Sequence, residues 1–231
     1  NKFALYPTVD GKYYTFDELE AVLKPKQTDK DDKMVILYTS DKESQHSYIA
    51  TAKAKGYEVI LLDSPIVSHL MQKLETSKDK ISFARVDADP IDKLIQKDDI
   101  SISKLSDQEK ETLKTKIEAI TGPSGLTVQL EAMDSESAPF VITEPEFMRR
   151  MKEMQQSGGG GGMFGMGNMP DMHNLIVNIN HPLVGEILNT KTQKKQERLI
   201  SQSIDLAKLS KGLLKGEALS DFISRSYEMI K

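Results

Sequence analysis

The side chains best suited to chemistry here are four histidines, three neighbouring aspartates and a glycine tract. None of them has the spacing that a reaction or a metal requires. His46, His69, His173 and His181 fall on separate expected elements, with no two close enough to act as a helix-borne metal pair. Asp87, Asp89 and Asp92 lack the central glycine and terminal glutamate of a calcium loop and read as a solvated strand end. Gly158 to Gly162 follow a helical stretch and lead into Met163-Phe164-Gly165-Met166-Gly167. A phosphate loop instead joins a strand to a helix and ends in Gly-Lys-Ser/Thr, so the tract reads as a flexible linker. No serine sits in a nucleophile elbow, and Lys191, Lys194, Lys195 and Arg198 read as a solvated helix start. The chain contains no cysteine, which excludes disulfides and thiolate metal sites.

What remains is a signal for binding. Residues 146–154 read Glu-Phe-Met-Arg-Arg-Met-Lys-Glu-Met. At about 100° per residue, Phe147, Met151 and Met154 share one narrow arc of a helix, Met148 adds apolar bulk, and Arg149, Lys152 and Glu153 lie elsewhere. Methionine adapts its shape and recurs on surfaces that accept many partners. Such a stripe beside a glycine tract points to recognition of varied apolar surfaces.

The rest of the chain must hold that helix. A net charge of −4 argues against a nucleic-acid binder, and no run approaches the roughly 18 consecutive apolar residues of a membrane span. The start, Asn1-Lys2-Phe3, has neither an initiator methionine nor a signal peptide, so the chain is expected to be a piece of something longer. Lack of cysteine fits a reducing compartment.

Residues 1–32 read as the end of a preceding unit, with Thr15 and Glu18 forming a capping box for a helix over 16–23. Residues 33–98 alternate strand 34–38, helix 43–55 stopped by Gly56, strand 58–62, helix 66–74 and strand 81–86. This is the pattern of a small three-layer αβα sandwich with a largely parallel sheet. After Lys97-Asp98-Asp99, residues 99–231 read as an α+β domain that includes the methionine-rich helix. Its strands fall at 126–131, 140–142 and 175–179, and helices follow Ser106 and His181-Pro182. Two terminal helices cover 196–209 and 217–230. Leu199, Ile200 and Ile204 on the first, with Leu219, Phe222, Ile223 and Ile230 on the second, make faces too broad to satisfy each other. A bundle formed with a second copy is therefore expected ahead of packing within one domain.

Several segments, taken in order, resemble the ninety-kilodalton heat-shock chaperones in their bacterial form, HtpG. They are Val35-Ile36-Leu37-Tyr38-Thr39-Ser40, Ala52-Lys53-Ala54-Lys55-Gly56-Tyr57-Glu58-Val59, Asp63-Ser64-Pro65-Ile66, Ala138-Pro139, Phe147-Met148-Arg149-Arg150-Met151-Lys152 and Asn180-His181-Pro182-Leu183. The resemblance implies that residues 1–96 are late middle domain and the remainder a C-terminal dimerisation domain. ATP and Mg would then be bound outside this chain, which would itself hold no cofactor, catalytic residue or ATPase activity. It further implies a cytoplasmic homodimer that binds unfolded clients through Phe147, Met148, Met151 and Met154. A second contact falls on the helix after Asp-Ser-Pro-Ile, at His69 beside Leu70. Two alternatives stand beside it: a nucleotide-handling α/β enzyme built on the first sandwich, and a purely structural dimerisation module.

Overall fold

The computed structural model describes residues 4–64, 67–97, 102–122, 125–157 and 172–230, without the side chains of 152–157. Its contacts gather into two compact units. The first is Asn1–Asp99 with Glu144–Pro170, and the second is Ile100–Thr143 with Asp171–Lys231.

The first unit opens with β1 (Tyr6–Pro7) paired antiparallel to β2 (Tyr13–Tyr14). Helix α1 (Phe16–Leu23) starts at the expected capping box: the Thr15 hydroxyl accepts from the Glu18 N–H, and the Glu18 carboxylate accepts from the Thr15 N–H at 2.8 Å. Next come β3 (Met34–Thr39), α2 (His46–Ala54), β4 (Val59–Leu61), α3 (Val67–Ser77), β5 (Ile81–Arg85) and the short α4 (Ile91–Leu94). The strands form one parallel sheet with β3 between β4 and β5. Every residue of β3 is buried, as its unbroken apolar run requires of a strand covered on both faces. Met34, Ile36 and Tyr38 join a core with Phe16, Leu19, Met71 and Leu74, while Val35 and Leu37 join another with Ile49, Ala52 and Ile91. Gly56 ends the α2 segment at φ +76°, a left-handed conformation that glycine reaches without strain.

In the second unit α5 (Asp107–Thr121) begins at a matching capping box between Ser106 and Glu109. Strands β6 (Leu126–Glu131) and β7 (Phe140–Thr143) flank a later strand. Between β7 and that strand the chain forms α6 (Glu146–Ser157), which packs with the first unit. The returning strand, β8 (His173–Asn178), runs parallel to β6 and antiparallel to β7. His181 caps α7 (Pro182–Asn189), its Nδ1 accepting from the Leu183 N–H at 3.0 Å. Helices α8 (Gln193–Ser210) and α9 (Gly216–Ile230) close the chain. Among the described residues no helix is long and apolar enough to cross a membrane.

The terminal helices correct part of the sequence reading. α8 packs against α5 and β7, so Ile200 and Ile204, expected at a dimer contact, are instead sealed in the core of their own unit with Leu113, Ile117 and Ile142. Phe222 is buried as well, Leu199 is half-buried against the same core, and Leu219 is half-buried. Polar pairs join α8 to α9: Arg198 to Glu228 at 3.0 Å, Gln202 to Ser226 at 2.8 Å, and Arg225 to Asp205. Leu206, Leu209, Leu213, Ile223, Tyr227 and Ile230 remain exposed.

Candidate functional site

The methionine-rich helix, counted with the second domain on sequence, packs on the first unit because its charges find partners there. β5 is an edge strand, and an open edge leaves N–H and C=O groups without a ladder partner. Side chains of α3 and α6 occupy those groups. Glu75 accepts from the Phe83 N–H at 2.8 Å, Glu146 accepts from the Arg85 N–H at 3.3 Å, and Arg150 donates to the Phe83 carbonyl at 3.0 Å. Arg150 also pairs with Glu75 at 2.9 Å and with Glu146 at 2.7 Å.

Glu146 is the centre of this network. The Tyr38 hydroxyl donates to it at 2.9 Å, and Arg149 donates to it at 2.5 Å. Arg149 also hydrogen-bonds the Tyr38 hydroxyl and lies over its ring, 5.5 Å from the centroid. Burial alone would raise the Glu146 pKa. The charges and hydrogen bonds of Arg149 and Arg150 outweigh burial and hold the carboxyl below its ordinary value, so it stays ionised. The same burial, with the Glu146 charge beside it, pushes the Tyr38 hydroxyl far up and keeps it neutral. Nearby, Arg85 bridges Asp87 at 2.5 Å and Glu144 at 2.5 Å, and the Glu144 N–H donates to the Asp87 carbonyl at 3.0 Å. Asp87, expected at a solvated strand end, is instead buried, because it is committed to Arg85.

Beside this network α6 carries apolar residues at an open surface. Phe147 is 72% exposed. A cavity of about 290 Å³ lies between α3 and α6, lined by Ser68, His69, Gln72, Phe147, Arg150 and Met151. Three expected contact residues, His69, Phe147 and Met151, thus meet on one surface. Leu70 does not join them, because it turns inward against the core that holds Met71 and Leu74. Met148 is half-buried outside the cavity lining. The Met154 side chain, the glycine tract, and Pro65 and Ile66 lie outside the described residues. His46, His173 and His181 are each on different elements from His69, and among the described residues no three histidines or carboxylates gather as metal ligands.

No family model matches the sequence. Curated relatives do. The chain is 33% identical to a chaperone protein HtpG of Bacteroides fragilis, aligned over 99% of this chain and 43% of the relative. HtpG of Porphyromonas gingivalis is also 33% identical, and that of Bacteroides thetaiotaomicron 32%, with the same coverage. The chain belongs to the HtpG chaperone family. It spans less than half the length of these HtpG relatives. The alignments run over 296 to 300 positions, more than the 231 residues present, so the HtpG relatives carry residues with no counterpart here.

The segment Phe147-Met148-Arg149-Arg150-Met151 that carried the HtpG resemblance supplies one wall of the cavity and much of the charged edge. Sequence reasoning singled out Phe147, Met148 and Met151 for apolar contact from helical spacing and missed the charged edge. Glu146, Arg149 and Arg150 at i, i+3 and i+4 signal a local ion-pair cluster. Their partners Tyr38, Glu75 and the edge of β5 are too distant in sequence to be inferred from it.

Proposed function

We propose that this chain is the client-holding and dimer-forming part of an ATP-dependent chaperone of the HtpG type, working in the cytoplasm. The observation that carries this reading is the open cavity between α3 and α6, with Phe147 standing exposed at its wall. Burying one large apolar side chain yields about 1.5–3 kcal/mol. Phe147, Met148, Met151 and Met154 together would give roughly 6–12 kcal/mol gross, against an association cost of about 4–15 kcal/mol. A single such surface holds a partner weakly and lets it go. Two copies in a homodimer raise the hold through effective concentration, and the exposed apolar residues of α8 and α9, including Ile223 and Ile230, are the proposed contact between copies.

Among the described residues ATP and Mg have no evident seat. The turns after β3 and β5 carry Asp41, Glu43, Asp87 and Asp89 and contain no glycine, which suits a polyphosphate poorly. In this reading the nucleotide binds elsewhere in the whole protein, and no step is assigned to it.

Replacing Phe147, Met151 and Met154 together with serine tests the reading. The variant is expected to keep its fold and association state while losing suppression of client aggregation in light scattering. Undiminished suppression would favour a purely structural dimer module.

A further inference from the structure

An amphipathic helix ordinarily lies on its domain with the apolar side down, because that side gains most from leaving water. On α6 the most deeply buried described side chain is a charged one, Arg149, while Phe147 is exposed. Glu146, Arg149 and Arg150 reach the sheet edge and Tyr38, whereas Phe147 stands exposed and Met151, half-buried, lines the cavity toward α3, with Arg150 shared between the two. Among the described side chains of α6 the hydrogen-bonded charges fix this orientation, since Arg149 is buried and Phe147 is not. Buried ion pairs contribute little net stability but are costly to break from one side, so they fix geometry more than they add strength. Glu146 is placed to do this. One oxygen accepts from the Tyr38 hydroxyl and from both arginines of its own helix, and the other accepts from the backbone N–H of Arg85.

We propose that Glu146 is the positioning residue of the apolar surface, tying the charged residues of α6 to the open edge of β5 so that Phe147 and Met151 are held at the open cavity beside α3. The proposal rests on the client-holding reading for the use made of that surface, but not for the docking itself.

Residue-resolved amide exchange on the full chain tests it, comparing the native sequence with Glu146→Gln, which keeps the shape and removes the charge. Exchange through α6 is expected to rise roughly tenfold or more, in keeping with the loss of charge-assisted hydrogen bonds. The Arg85 amide should rise with it, while the Phe83 amide, held by Glu75, changes less, and Ile36 and Leu37 in β3 stay protected. Tyr38→Phe, which removes one donor and keeps the ring under Arg149, should produce a smaller rise confined to α6. Unchanged exchange in α6 in both variants overturns the proposal. So does an equal rise in β3, which would mean general loosening. Suppression of client aggregation by Glu146→Gln is expected to fall. If α6 loosens and suppression is untouched, the docking role stands and the client-holding reading fails.

Discussion

Helices α6 and α8 both carry an apolar stripe, and the fold uses the two stripes in opposite ways. α8 puts Ile200, Ile204 and Ala207 into the core of its unit and leaves Leu206 and Leu209 outside. α6 is pinned by Glu146, Arg149 and Arg150 to an open sheet edge and leaves Phe147 outside. A helical period reveals that two faces exist. Which face goes down depends on what the docking surface offers. For α8 that surface is the apolar side of a small sheet, and for α6 it is a row of unpaired backbone groups together with a buried tyrosine hydroxyl.

The largest effect expected from this contrast is in α8. Ile200 is fully buried, so Ile200→Ala should cost the second unit about 2–5 kcal/mol in equilibrium denaturation. Unchanged stability with loss of association would instead return Ile200 to an interface. A smaller effect separates α6 from the sheet beneath it. The Glu146 pKa lies below its ordinary value of 4.5 in the folded chain. Its contribution to docking is therefore complete above pH 4.5, and it erodes as acid carries the group down through its lowered folded pKa. An acid-active protease should accordingly cut near Phe147 before it opens β3 and β5 as the pH drops below that range; simultaneous cutting would contradict the electrostatic docking. The smallest effect on stability belongs to the exposed end of α9. Ile230 is 82% exposed, and Ile223→Ser with Ile230→Ser should shift stability by only about 0.5 kcal/mol while sedimentation moves toward the monomer. A dimer that persists would remove these residues from the proposed contact.

Much of the fold was legible because local rules and burial agreed. The Thr15–Glu18 and Ser106–Glu109 capping boxes, the apolar run of β3 and the left-handed Gly56 each depend on neighbours in sequence, and each falls where its residues place it. The candidate site was legible in part. Phe147 and Met151 follow from helical spacing and His69 from the resemblance, and the three do share a cavity. Leu70 did not, because adjacent helical positions point about 100° apart, and the fold turns this one inward. The charged edge was illegible for a different reason. Tyr38 and Glu146 are 108 residues apart, and nothing local to either announces that a strand edge will need covering. Ile200 and Ile204 misled because a stripe broad enough for a partner is equally broad enough for the domain's own sheet.

The central claim is that the α3–α6 surface takes up non-native chain, and methyl NMR of the methionines tests it most directly. α3 carries Met71, fully buried, and α6 carries Met151 at the cavity wall, so one spectrum holds both probe and control. On titration with a permanently unfolded, reduced and alkylated protein, the Met151 methyl signal should shift or broaden while Met71 stays in place. A Met151 signal that remains still at saturating unfolded protein would contradict the account.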